Sequence, residues 1–215
     1  MKNIVLFPGL AADERLFASL DLTPFSVKTI EWLRPGEKET LRAYAGRIAA
    51  TIAPVEETIF IGVSFGGLLA QEVAQFYPVE KIILISSLSS GDQLPKALTF
   101  FRLFPVYRWL PERQLKSVVT RIGKKFTNKN ETETALFESM VRDADIHLIR
   151  WGIDQTLDWK QPAAACNIIH IHGNRDRLFP ISLIPVDHVI DGGQHFMVIQ
   201  EGASINALLK KLLDK

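Results

Sequence analysis

The chain has 215 residues, a formal charge of +1 and an apolar fraction of 47%, which suits one domain with a sizeable core and argues against disorder or a partner selected by bulk charge. No apolar run approaches the ~20 residues needed to span a bilayer, and the N-terminus lacks the basic, apolar and small-residue succession of a signal peptide. A single cysteine, Cys166, excludes an intramolecular disulfide, fits a reducing, cytoplasmic compartment and reads as a small buried residue.

In chain order, residues 4–7 and 27–30 read as the first two strands, short and rich in β-branched and apolar residues. Residues 39–52 have helical periodicity, with Leu41, Tyr44, Ala45, Ile48 and Ile52 on one face and Pro54 as the stop. A buried strand over 58–61 and a helix over 65–76 follow, then a strand over 81–85. Two more strands fall at 168–171 and 186–190, and a closing helix runs over 205–213. Six short apolar strands alternating with helices predict an α/β fold whose mostly or fully parallel sheet is covered on both faces.

Residues 87–161 break this rhythm. They show helical patterning interrupted by Pro95, Pro105 and Pro111, and read as a helical insertion into a core made of 1–86 and 162–215. Between positions 96 and 130 lie nine Lys/Arg and one acid, Glu112, together with Phe100, Phe101, Phe104, Tyr107 and Trp109. The expected arrangement is an amphipathic lid with its aromatics packed down on the sheet and its cations in water. The competing reading is an affinity for an acidic substrate or an anionic membrane surface. Nucleic-acid binding is not indicated, since the rest of the chain offsets this charge.

The chemistry concentrates at Gly62-Val63-Ser64-Phe65-Gly66-Gly67, between a strand and a helix. Glycine two positions to either side of a serine suits a sharp strand-to-helix turn that projects the hydroxyl beside a helix N-terminus. The plainer reading is a tight turn that contains a serine by chance. A serine nucleophile needs a base. Of five histidines, His147 lies in the insertion, His170 reads as structural, His172 ends a strand, and His188 interrupts one. His195 sits in the glycine-rich loop 191–197 after the last strand, on the edge where loops following parallel strands gather, and is the expected base. The expected acid is Asp176, in the loop after the preceding strand; Asp187, Asp191 and Asp158 are alternatives, and the plainer reading of Asp176 is a turn cap or a partner of Arg175 or Arg177. Backbone N–H groups of Phe65 and Leu10 are the expected oxyanion donors, Leu10 following the flexible Gly9.

With these pieces assembled, the chain resembles the α/β-hydrolase superfamily. The resemblance rests on Phe-Pro-Gly at 7–9, the serine turn at 62–66, His-Gly-Asn-Arg-Asp at 172–176 and Gly-Gly-Gln-His at 192–195, in the order serine, acid, histidine. It implies a compact serine hydrolase with Ser64 as nucleophile, Asp176 as acid, His195 as base, an oxyanion hole at Leu10 and Phe65, and 87–161 as the cap. Two departures stand out. The chain begins at what would be the family's third strand, and Pro8 replaces the histidine that often precedes the oxyanion-loop glycine.

The expected activity is cleavage of a carboxylic ester or thioester of a small to medium acyl group through an acyl-enzyme. Carbon–carbon bond hydrolysis with the same residues is an alternative, as is a member of the fold that binds a small molecule or a protein without turnover. Dehalogenase and epoxide hydrolase branches place aspartate where Ser64 stands. Phe101, Phe104, Trp109, Trp151 and Phe196 are candidates to line the substrate pocket, and equally candidates for the core. No metal cluster, phosphate loop or dinucleotide fingerprint is present in the sequence, so no cofactor is expected.

Overall fold

The computed structural model describes residues 2–52, 57–125 and 130–213; Pro54 lies outside them. Six strands, β1 (Asn3–Phe7), β2 (Ser26–Thr29), β3 (Thr58–Val63), β4 (Lys81–Ile85), β5 (Asn167–Gly173) and β6 (His188–Ile190), form one sheet in the order β2-β1-β3-β4-β5-β6. Every pair is parallel. All six residues of β3 and all five of β4 are buried, as continuous apolar runs in a doubly covered sheet must be. β2 is an edge strand and largely exposed.

Helices α1 (Leu41–Ile52) and α2 (Phe65–Val73) pack on each other and on the sheet. α1 buries Leu41, Tyr44, Ala45, Ile48, Ala49 and Ile52, the expected face. All nine residues of α2 are buried, which explains its lack of a polar side. Between β4 and β5 stand α3 (Lys96–Leu103), α4 (Glu112–Lys124), α5 (Glu131–Asp143) and α6 (Ile146–Asp158), with no strand among the described residues of that interval. α7 (Met197–Gln200) and α8 (Gly202–Leu213) close the chain.

Trp151 and Trp159 tie α6 and its C-terminus to the core. The indole of Trp151 donates to the Glu39 carbonyl at 2.7 Å, and that of Trp159 to the Glu72 carboxylate at 3.1 Å. The expectation that the aromatics of 96–130 pack down on the sheet is corrected. Of those named, only Tyr107 is buried; Phe100, Phe101, Phe104 and Trp109 are exposed. α3 rests on α6, a single helix, and buries none of its own residues. One helix covers one face of α3, so its remaining apolar side chains face water.

The register brings the strand ends level. Phe7 pairs with Gly62, Val63 with Ile85, Ile85 with Ile171, and Gly173 with Ile190. The loops carrying Leu10, Ser64, Asp176 and His195 therefore leave one edge of the sheet.

Candidate active site

The turn at Ser64 is built by what its neighbours lack. A Cβ on Gly62 would lie 2.5 Å from the Cα of Gly67, and one on Gly66 would lie 2.1 Å from the Phe7 carbonyl oxygen. Only hydrogen fits at either position, so β3 and α2 approach within reach of a single connecting residue. That residue, Ser64, has φ 53° and ψ −124°, a conformation disfavoured for any side chain. Serine before a helix normally turns its hydroxyl back onto the helix amides. Ser64 makes no such capping bond, and its Oγ is directed elsewhere. The backbone is held by Ser64 N–H donating to the Ile85 carbonyl at 3.0 Å and by Ser87 Oγ–H donating to the Ser64 carbonyl at 2.7 Å.

Ser64 Oγ lies 2.9 Å from His195 Nε2, and His195 Nδ1 lies 2.8 Å from Asp176 Oδ2. An ionised carboxylate only accepts, so Nδ1 carries the ring hydrogen and Nε2 is left to accept from the serine hydroxyl. His195 and Asp176 are both buried. The three expected residues are thus brought into one hydrogen-bonded chain from three different loops.

Asp176 is held by more than His195. Its Oδ1 accepts from the Leu178 and Phe179 amides at 2.8 and 2.9 Å. Burial pushes this carboxyl up. The electrostatic pull of His195, the bonds from His172 and His195 and the Phe179 amide outweigh burial and hold it well below the usual carboxylate range. The loops bearing the acid and the histidine are stitched together. Arg175 N–H donates to the Gly193 carbonyl at 2.9 Å, Asn174 Nδ2 donates to Asp191 at 2.7 Å, and Gly192 N–H donates to Asn174 Oδ1 at 2.9 Å. Asp191 is thus a clasp between loops, Asp187 accepts from the His170 amide at 2.7 Å, and Asp158 pairs with Arg102 at 2.9 Å.

His172 was expected only to end its strand, yet it touches the acid. Its Nε2 faces two acceptors, the Phe179 carbonyl at 2.9 Å and Asp176 Oδ2 at 3.2 Å, so it donates there. Its Nδ1 then accepts from His170 Nε2 at 3.2 Å. The only sequence signal was the alternation of His170 and His172 on one strand face. Burial, followed by the field of His172, lowers the His170 pKa to about 3 against the weaker opposing pull of Asp187. An unfolded histidine takes up a proton below about pH 6.5, which folded His170 refuses until about pH 3. Stability is therefore expected to fall as pH drops through this window, with His170 contributing up to about 1.4 kcal/mol per pH unit. Urea midpoints at pH 7, 5.5 and 4.5 should fall less steeply in His170→Gln, which keeps a donor but cannot titrate. The contribution of Asp176 stays full across that range, because its lowered pKa removes it only at more acid pH. Equal slopes in both proteins would refute the role given to His170.

The loop after β1 abuts the serine, a Cβ built on Gly9 lying 3.5 Å from Ser64 Cβ. A turn closed by Ala12 N–H donating to the Gly9 carbonyl at 3.0 Å places Leu10 and Ala11 at its tip, with Ala11 at φ 62°. α6 covers this tip so closely that a Cβ on Gly152 would meet Leu10 Cδ1 at 2.3 Å. One residue further along, Ala11, Ala12, Trp32, Leu33, Met140 and Leu148, with Asp13, Arg34, Asp143 and Asp145, line a cleft of about 360 Å3 that neither Ser64 nor His195 borders. Trp32, which the sequence did not single out, stacks on Phe65 at 5.9 Å and donates to the Ala12 carbonyl at 2.7 Å. Its place just beyond the C-terminal end of β2 was the available signal.

The expected pocket residues divide. Trp151 meets the Phe65 ring edge-on at 5.8 Å, and Phe196 lies against the His195 ring at 5.6 Å. Phe101, Phe104 and Trp109 lie on the surface, and none of the five lines this cleft. Among the described residues no group of three or more His, Cys, Asp or Glu side chains is arranged to hold a metal ion. None of the described helices is long and apolar enough to cross a membrane.

No protein-family model matches this chain, and no curated protein matches it. Solved structures do. An esterase from Thermogutta terrifontis, determined with malate bound, has a TM-score of 0.79 at 16% identity, the match covering 100% of this chain and 90% of that one. A hydrolase from Pseudomonas aeruginosa gives 0.77 at 14% identity, covering 100% and 90%. An esterase from Exiguobacterium antarcticum gives 0.76 at 16% identity, covering 100% and 92%. Together with the all-parallel sheet and the strained serine turn after β3, these likenesses establish that the chain has the α/β-hydrolase fold.

Proposed function

We propose that the protein is a serine hydrolase that cleaves a carboxylic ester or thioester through an acyl-enzyme on Ser64. The observation that carries this is the unbroken contact from Ser64 Oγ through His195 to Asp176, at 2.9 and 2.8 Å, on a turn strained enough to project the hydroxyl. His195 Nε2 takes the serine proton as Oγ bonds to the carbonyl carbon, and the carbonyl π electrons move onto oxygen. The Leu10 and Phe65 amides receive that oxyanion. Neither N–H has a protein acceptor among the described residues, which supports this role. Collapse of the adduct breaks the bond to the leaving group, which takes the proton from His195. Water then repeats the sequence, with His195 as base, and frees the acid.

Asp176 holds the Nδ1–H tautomer and stabilises the imidazolium. The 87–161 interval serves as the cap, a reading supported by the approach of α6 to Leu10 and by Trp151 against Phe65. A small to medium acyl group is the acid portion proposed for the substrate. Esterases among the structural neighbours favour ester hydrolysis.

Labelling with a fluorophosphonate, read by intact mass, tests the proposal. Wild type should gain one adduct and Ser64→Ala none. An equal adduct on both, or no adduct on folded wild type, would remove Ser64 from the nucleophile role.

A further inference from the structure

Ten residues on the outer side of the helical interval leave six large apolar side chains in water. Leu103 and Trp109 are each 76% exposed, Phe100 and Phe104 each 56%, and Phe101 and Val106 are also exposed. The rings pack on one another instead of on the core, Phe100 stacking on Phe104 at 4.8 Å and meeting Phe101 edge-on at 6.4 Å. Scattered apolar residues on a surface need no explanation, but a clustered patch of aromatics does.

The charge that flanks the patch in sequence points to what covers it. Positions 96–125 contain eight Lys/Arg and one acid, Glu112. Arg102 and Arg108 are neutralised by Asp158 and Asp154, each at 2.9 Å, and Lys116 by Glu112. Lys96 and Arg113, which stand four residues before Phe100 and four after Trp109, are exposed and have no ion-pair partner among the described residues. A second copy of the chain would bring the same positive charge to the contact and be repelled. A nucleic acid would satisfy the cations but offer Leu103 and Val106 no apolar phase. An anionic bilayer satisfies both, taking the apolar side chains below the headgroups and the cations among them, with tryptophan at the boundary.

We infer that α3 and the turn after it, residues 96–109, dock the protein on anionic phospholipid bilayers. The inference stands apart from the hydrolase reading and needs no turnover. α3 packs on α6, whose Trp151 and Gly152 lie against Phe65 and Leu10, so a docked α3 sits one helix away from Ser64.

Co-sedimentation of the full chain with vesicles of phosphatidylcholine alone, and with 30% phosphatidylglycerol (~30%, within the anionic range of cell membranes), tests it. Each unpaired cation near the surface strengthens partitioning by roughly fivefold at low salt. Two such residues predict at least about tenfold tighter partitioning to anionic vesicles, lost at high salt. The Phe100→Ser/Phe104→Ser/Trp109→Ser variant should bind no better than background. These side chains are exposed, so it should unfold at the wild-type midpoint, and Lys96→Glu/Arg113→Glu provides a second disruption if it does not. Trp109 fluorescence should shift to the blue on binding, the other described indoles being already partly or fully buried. No partitioning, or equal partitioning of wild type and both variants, would overturn the proposal. So would dimerisation that the aromatic variant abolishes, or tighter binding to nucleic acid than to anionic vesicles.

Discussion

Asp176→Asn is expected to lower kcat for a p-nitrophenyl ester by about 10³- to 10⁴-fold, and His195→Ala by at least as much. The reasoning starts from the hydrogen on Nδ1. Asp176 Oδ2 sits 2.8 Å from that nitrogen and, ionised, can only accept. An asparagine held by the Leu178 and Phe179 amides through its oxygen would turn its NH2 toward the imidazole. Two donors cannot face each other, so the ring hydrogen moves to Nε2, which then cannot take a proton from Ser64. The losses should not add: Ser64→Ala combined with His195→Ala should be no slower than either alone, because both remove one proton transfer. Asp176→Asn within about tenfold of wild type would show that the acid lies elsewhere.

Gly66→Ala is expected to cost more than about 4 kcal/mol of stability, or to prevent folding. The new methyl would lie 2.1 Å from the Phe7 carbonyl oxygen and 2.4 Å from that of Pro8. Those atoms belong to backbone, and Phe7 is fixed by its pairing with Gly62 at the centre of the sheet. Neither side can yield without breaking the β1–β3 ladder or moving the loop that carries Leu10. Gly192→Ala is the control. Unlike Gly66 it sits at positive φ, 76°, but a methyl there meets nothing within 4 Å, so only the local strain of about 1 kcal/mol applies. Thermal or urea unfolding of both variants separates collision from strain, and equal midpoints would refute the collision.

The sheet was legible because its strands are buried on both faces. Thr58–Val63 and Lys81–Ile85 have no polar side to confuse the reading, and all six strands stand where the apolar runs put them, within about two residues at either end. The positions of Ser64, Asp176 and His195 were legible for a different reason. Each follows a strand of a parallel sheet, and such loops emerge on one edge whatever their length. What local sequence hides is who faces whom. The contact of His172 with Asp176 depends on a carboxylate four residues further on folding back over the strand end. Trp32 reaches Phe65 only through the pairing of β1 with β2 and β3. The aromatic insertion misled because helical periodicity reports that a face is apolar, not that a partner exists to cover it. Phe100 and Phe104 satisfy the pattern and remain in water.

The helical interval leaves the sheet from β4 and returns through β5. β4 supplies neither Ser64, on the turn after β3, nor His195, after β6, and Asp176 follows only once the chain has come back along β5. The long excursion thus hangs from an interior strand end that bears none of the three. A change in the length of that excursion alters neither the strand that precedes Ser64 nor the loop stitching that holds Asp176 to His195.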